Sequence, residues 1–202
     1  MSAARRCDAR AAPLPRFAAS CAPLLLAGAA IGNATGGAGA TAPTIVSVGD
    51  GPAGVATGFS VSPGRVVTVA HIVDGGAIAV RGADGIARRG VVVRRDDTLD
   101  LALLAVPGLR SAPSFPRAGT HLLVRRDGAV TSLPARVARR ITARIGIARR
   151  PALELAATAA AGDSGAPVLS GGRLTGIVFA RSRERAGVAY AVDAGVLSRF
   201  LR

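Results

Sequence analysis

From Thr44 onward the chain breaks into short runs of alternating or continuous apolar residues separated by Gly, Pro and Asp turns. That is the pattern of an all-β sandwich or barrel, and helical periodicity is nearly absent. A first set of strands is predicted at Ile45–Val48, Val55–Val61, Arg65–Ala70, Ala77–Arg81, Gly85–Arg94 and Leu101–Val106. Their separators, among them Ser62-Pro63-Gly64, Asp74-Gly75-Gly76 and Asp84-Gly85, hold residues suited to turn dihedrals. A second set is predicted at His121–Arg125, Ala129–Ala138, Ile141–Ile147, Ala152–Leu155, Pro167–Leu169, Arg173–Ala180 and Gly187–Val192. Between the sets, Pro113 and Pro116 oppose strand pairing, so residues 110–118 read as a linker between two six-stranded units, about 44–109 and 119–192. Residues 193–202 form a short amphipathic helix capped by Asp193, with Val196, Leu197, Phe200 and Leu201 on one side.

Composition sharpens this picture in two ways. Half of the residues are apolar but only 3% are aromatic, so the core is built from Val, Leu, Ile and Ala. All 26 basic residues are Arg, which together with abundant Ala and Gly marks a genome-wide bias and carries no functional message.

Residues 1–40 differ from the rest. Arg5, Arg6, Arg10 and Arg16 precede an apolar stretch from Phe17 to Gly32, and a small-residue segment ends in Ala38-Gly39-Ala40. This is the order of a secretory signal peptide cut near Ala40, which leaves residues 41–202 as the exported domain. An uncleaved anchor is the alternative, although the stretch is shorter than the ~20 residues of a usual span and contains Pro23. Both cysteines, Cys7 and Cys21, lie in this leader, so no disulfide is expected in the exported domain.

A net charge of +14 invites a nucleic-acid reading. The Arg pairs at 88/89, 94/95, 125/126, 139/140 and 149/150 are scattered, and no aromatic residues lie among them to stack bases. They read as a solvated basic surface, with no nucleic-acid partner. A membrane partner follows only if the leader stays in place. No Cys/His cluster has metal-ligand spacing, so neither a metal nor a cofactor is expected. Nothing in the sequence sets an oligomeric state.

The informative chemistry is in three segments. In Ala161-Gly162-Asp163-Ser164-Gly165-Ala166-Pro167, glycines on both sides of a serine permit a tight loop that presents a hydroxyl and aims backbone N–H groups at one point. By itself G-D-S-G is equally an ordinary hydrophilic turn. In Thr68-Val69-Ala70-His71 an imidazole ends an apolar strand, and in Leu99-Asp100-Leu101-Ala102-Leu103-Leu104 a carboxylate opens one. A carboxylate so embedded needs hydrogen-bonded partners, and imidazole is a good one. His, Asp and Ser in that chain order is one of the orders in which a nucleophile, its base and the base's orienter recur on unrelated folds.

With these segments in view, the chain resembles the chymotrypsin-like serine peptidases. T-V-A-H, D-L-A-L-L and G-D-S-G-A-P look like the family's three signature segments, and the likeness covers nearly all of residues 44–192. It looks most similar to compact bacterial HtrA-like members, since His71 and Asp100 are only 29 residues apart and no cysteines staple the loops. The PDZ domain such proteins often carry would not fit in the ten residues after Val192.

The resemblance implies two antiparallel six-stranded Greek-key barrels with the active site between them, and protein or peptide substrates. It also implies His71 as general base, Asp100 as its orienter, Ser164 as nucleophile, and the N–H groups of Gly162 and Ser164 as oxyanion hole. A scaffold of the same fold that binds without turnover is the alternative, although such proteins usually show a substituted triad. Asp163 matches the aspartate that, in zymogen-type members, pairs with a newly released N-terminus. Here Ser47-Val48-Gly49-Asp50 departs from the glycine pair that follows such a terminus, so Ile45–Val48 is expected to be simply the first strand and Asp163 to find another partner or stay solvated.

By the same resemblance Thr158 lies at the base of the specificity pocket and Phe179, Ala180 and Arg181 form its wall. A threonine there offers no carboxylate to Lys or Arg side chains. Arg181 either narrows the pocket in favour of small aliphatic residues, attracts an acidic side chain, or lies at the rim with its charged head in water. His121 and Tyr190 read as structural residues.

Overall fold

A computed structural model describes residues 44–51, 54–109, 118–145 and 148–202. The expected leader and most of the expected linker lie outside the described residues.

Six strands close the first barrel: β1 (Ile45–Gly51), β2 (Gly54–Ser62), β3 (Arg65–Thr68), β4 (Ala77–Arg81), β5 (Ala87–Asp96) and β6 (Leu101–Ala105). Their order around it is β1-β2-β3-β6-β5-β4, with every pairing antiparallel. The interior is aliphatic, as composition requires: Val46, Val48, Val66, Val67, Val80 and Leu104 are all fully buried. Closure leaves no free edge in this half.

The second half is a seven-stranded antiparallel sheet of β7 (Thr120–Arg126), β8 (Ala129–Pro134), β9 (Arg136–Ile145), β10 (Ala148–Ala156), β11 (Pro167–Ser170), β12 (Arg173–Arg181) and β13 (Val188–Asp193), in the order β8-β7-β11-β12-β13-β10-β9. The two outermost strands, β8 and β9, are consecutive in the chain and joined through Ala135 alone, so the sheet must curl back on itself. Its inner face is Leu122, Val124, Leu153, Leu155, Val168, Val178, Ala189 and Ala191.

Two sequence expectations shift here. The second unit has seven strands, as many as the segments predicted for it but one more than the six-stranded barrel expected, and the break falls at Ala135, inside the predicted strand Ala129–Ala138, while the Arg139/Arg140 pair left between two predicted strands sits within β9. Arginine stems lie comfortably along an exposed strand with their heads in water, so a charged pair is no stop signal. The helix α1 (Ala194–Phe200) forms as expected, with the Asp193 carboxylate accepting from the Gly195 N–H and Val196, Leu197 and Phe200 buried. Leu201 follows the helix and is exposed.

Three positions between the halves explain how they are held. The Arg125 Nη2 of β7 donates to the carbonyl of Gly82, just past β4, at 2.9 Å. Arg94 lies over the Phe200 ring of α1 at 5.1 Å. Thr57 of β2 donates its N–H to the carbonyl of Ser164 at 2.8 Å.

Candidate active site

His71 sits in a single 3₁₀ turn, Ala70–Ile72, directly after β3. The four-residue turn Asp97–Asp100 leads from β5 into β6. It is set by the Asp96 carboxylate, which accepts from the Leu99 N–H at 2.8 Å, and ends with Asp100 at φ +57°. Aspartate tolerates that left-handed conformation better than a β-branched or bulky apolar residue would. The Asp100 carbonyl accepts from the Ala70 N–H at 3.2 Å, and its Oδ1 accepts from the His71 N–H at 2.9 Å. Its two carboxylate oxygens lie 3.1 and 2.9 Å from His71 Nδ1. The carboxylate is buried while the imidazole is half exposed, so one ring nitrogen is held and the rest of the ring is open to solvent.

Ser164 is delivered by the loop between β10 and β11. Gly162 and Gly165 both have positive φ, +91° and +87°. At Gly165 the constraint is also spatial, because a Cβ would stand 1.9 Å from the Thr57 carbonyl oxygen. The loop therefore presses its backbone against β2 in a way that only glycine allows. Besides its bond to the Ser164 carbonyl, Thr57 donates its hydroxyl to the Gly162 carbonyl at 3.0 Å. The Thr57 carbonyl in turn accepts from the Thr68 hydroxyl at 2.9 Å. Thr68 is three residues before His71, so the serine loop and the histidine turn are anchored to the same two strands. On its other side the loop is bonded to β12: Gly165 N–H to the Val178 carbonyl at 2.7 Å, and Val178 N–H to the Ala166 carbonyl at 2.9 Å. The Asp163 N–H is taken by the Ala160 carbonyl, whereas those of Gly162 and Ser164 have no acceptor among the described residues.

Asp163 is fully buried and has found a partner: Arg126 of β7, whose Nε donates to Oδ1 at 2.9 Å and whose Nη2 pairs with Oδ2. The Ala160 N–H adds a third bond at 2.7 Å. The Asp163 hydrogen bonds raise the Arg126 pKa above its ordinary value.

Of the expected pocket residues, Phe179, Ala180 and Arg181 line an open cavity of about 490 Å³, together with Tyr190, Glu154 and Arg139. Thr158 lies exposed in the segment after β10 and is not part of that lining. Ala180, Tyr190, Glu154 and Arg139 are register partners across β12, β13, β10 and β9 and form one row along the cavity. Hydrogen bonds from Arg185 first, and from Arg139 second, hold the Glu154 carboxyl down at about 2. Arg181 has no hydrogen-bond or ion-pair partner among the described residues. Tyr190 stacks on Phe179 with ring centroids 6.4 Å apart and accepts from Arg185, while His121 bonds the Ala118 carbonyl through Nε2; neither takes part in the arrangement around Ser164.

The depressed Glu154 carboxyl has a pH consequence. A carboxyl held at about 2 when folded and 4.5 when unfolded stabilises the fold fully above the unfolded value, and this stability drains away as pH falls from about 4.5 towards 2. A Glu154→Gln variant should therefore lose less melting temperature than the parent between pH 5 and pH 2.5 in a thermal-unfolding series. Equal losses in both would show that Glu154 does not contribute.

Sequence reasoning missed three residues. Thr57, Arg126 and the buried Arg150 of β10 contact Gly162, Asp163 and Asp100 respectively, and both arginines had been read as part of a solvated basic surface. The available signal was strand alternation: in an adjacent Arg pair on a strand the two side chains point to opposite faces, and in two of the pairs one of them is buried, while both members of 94/95 and 139/140 are exposed. Arg125 and Arg150 are 9% and 3% exposed.

Three comparisons bear on this arrangement. Residues 56–177 match the trypsin-like peptidase domain model. The serine proteases Rv3671c and MT3772 of Mycobacterium tuberculosis, from strains H37Rv and CDC 1551, are 30% identical over 157 residues, covering 69% of this chain and 39% of theirs. The chain thus spans about two-fifths of the length of the curated relatives it matches. The crystal structure of the active form of the Rv3671c protease superimposes with a TM-score of 0.68 at 29% identity, covering 80% of this chain and 81% of that one. The MamO protease domain of Magnetospirillum magneticum, at 24% identity, gives a TM-score of 0.66 over 80% of this chain and 97% of its own, a likeness of fold.

Proposed function

The chain belongs to the trypsin-like peptidase family, and on that footing we propose that it is a serine endopeptidase whose reacting groups are Ser164, His71 and Asp100. The observation that carries this is the His71–Asp100 pair, anchored to the same strands that hold the glycine-flanked Ser164 loop.

Ser164 Oγ attacks the scissile carbonyl carbon while its proton passes to His71 Nε2. Asp100 keeps the other proton on Nδ1 and stabilises the imidazolium that forms. The carbonyl oxygen becomes negative and is met by the N–H groups of Gly162 and Ser164, which have no other acceptor among the described residues. Collapse breaks the C–N bond, the amine leaves with the proton from His71, and an acyl group remains on Ser164. Water, deprotonated by the same imidazole, then releases the acid and restores the serine.

Substrate binding follows from the strand order. Beyond Val178, β12 pairs with β13 on one side, and among the described residues no strand pairs with its other edge. An extended peptide adds to such an edge by main-chain hydrogen bonds and lays alternate side chains into the neighbouring cavity. The cavity's one carboxylate, Glu154, is already bound by two arginines, which disfavours Lys and Arg there, while small, aliphatic or acidic side chains suit Ala180, Phe179 and Arg181. Export through residues 1–40, with cleavage near Ala40, belongs to the same proposal.

Incubation with a mixed peptide library, followed by mass spectrometry, should yield internal cuts that are blocked by an organophosphate inhibitor, with Lys and Arg depleted before the cut. Cuts confined to Lys and Arg sites would overturn the pocket assignment, and cuts insensitive to the inhibitor would overturn the serine mechanism.

A further inference from the structure

Arg150 is the least expected side chain in the molecule. It is 3% exposed, its guanidinium lies over the Phe179 ring at 5.0 Å, and its Nε and Nη1 have no hydrogen-bond partner among the described residues. Burial pushes its pKa below the ordinary arginine value. Buried guanidinium groups are normally satisfied by carbonyls or forked on a carboxylate. Arg125, the other buried arginine, follows that rule in part by bonding the Gly82 carbonyl. For Arg150 the nearest opposite charge is Asp100, whose Oδ2 lies 3.8 Å from Nη1, and the more distant Asp96 contributes weakly.

Two basic side chains therefore approach the Asp100 carboxylate from different halves of the molecule. His71 comes from the turn after β3 and Arg150 from β10. Arg95 of β5, the strand that leads into the Asp100 turn, is turned to the Val73 carbonyl and to Asp97. Phe179, on which Arg150 rests, is the first residue of the free edge of β12, next to the Val178 that holds the Gly165 backbone. One side chain thus spans the orienting carboxylate and the strand proposed to bind substrate.

We propose that Arg150 is a positioning residue for the reaction, holding the Asp100 carboxylate in register with His71 Nδ1 across the boundary between the barrel and the second sheet. The inference rests on the triad reading given above. It gives the buried guanidinium a role beyond packing, since an apolar side chain of similar volume in place of a buried charge is often neutral or stabilising for the fold itself.

The test is a double-mutant cycle on the full chain, read as kcat and KM for a peptide substrate. Arg150→Met should lower kcat about 10- to 100-fold with KM within about twofold, since the group acts on the orienter and not on bound substrate. Arg150→Lys should recover part of the loss. In an Asp100→Asn background, itself slowed by about 10⁴-fold, adding Arg150→Met should change kcat less than about twofold. An unaltered kcat in Arg150→Met, or the same loss in both backgrounds, overturns the proposal. No effect of Asp100→Asn in the parent would instead sink the triad reading, so the two failures are distinguishable. A readout free of activity uses Ser164→Ala protein: the downfield Nδ1–H proton resonance of His71 should move or vanish in Arg150→Gln. An unmoved resonance there counts against the proposal, including where the methionine variant fails to fold.

Discussion

Ser164→Ala is expected to abolish covalent labelling by a fluorophosphonate probe and to cut kcat by roughly 10⁶-fold, leaving only what backbone donors and binding supply. The parent should label with one equivalent per chain. The reasoning is local: the glycine-flanked Ser164 hydroxyl is the group proposed to form the acyl bond, and the loop's contacts run through the Ser164 and Gly162 carbonyls, the Gly165 N–H and the Asp163 carboxylate rather than through Oγ. Losing Oγ leaves those contacts intact, so the melting temperature should stay within a degree or two of the parent. Persistent labelling in the variant would remove Ser164 from the mechanism. A parent that folds but never labels would favour the non-catalytic scaffold of the same fold.

The second large effect is expected from Arg126→Met. Asp163 is fully buried, and its charge is met by Arg126 and by one backbone N–H. Removing one partner of a buried pair is costly because the other charge stays behind. About 3 kcal/mol is expected, near the low end of the usual range, since the Arg126 side chain is itself 36% exposed. For a chain of this size that is roughly 6–12 °C in melting temperature. Activity should fall as well, because Asp163 lies between Gly162 and Ser164, and a carboxylate seeking water would turn both donor N–H groups away from their common point. Adding Asp163→Asn should restore part of the stability by removing the stranded charge. A melting temperature within a degree of the parent in Arg126→Met, or a double variant no better than the single, would show that the pair holds nothing in place.

Together these expectations describe a serine loop that is braced from the second sheet by Arg126 and clamped to the first barrel by Thr57. Residue 163 is partnered within the folded domain, so its charge is satisfied without a terminal amine. Ile45, at the start of β1, is correspondingly occupied in the first barrel, paired with Phe59 of β2.

Much of this was readable before any coordinates. All six strands of the first barrel were placed within a few residues, because each has β-branched or leucine-rich runs bounded by Gly, Asp or Pro turns. The signature segments around His71, Asp100 and the G-D-S-G loop marked the candidate residues, of which the structure pairs His71 with Asp100. The second sheet was less legible. In β9 the arginines at 136, 139, 140 and 144 lie among small and aliphatic residues in a strand with one wet side, which blurs both its ends and its period.

The sequence alone, then, determined the β class, the two-unit plan and the three segments that carry His71, Asp100 and Ser164, since strand period, turn chemistry and local motifs are properties of neighbouring residues. Tertiary structure alone decided which arginines reach the candidate site. Arg126 reaches Asp163 over 37 residues of chain, and Arg150 reaches Asp100 only where the second sheet meets the first barrel. Alternation says that a side chain points inward, but what it meets there depends on how the sheets close and pack, and that is set by contacts distant in the chain.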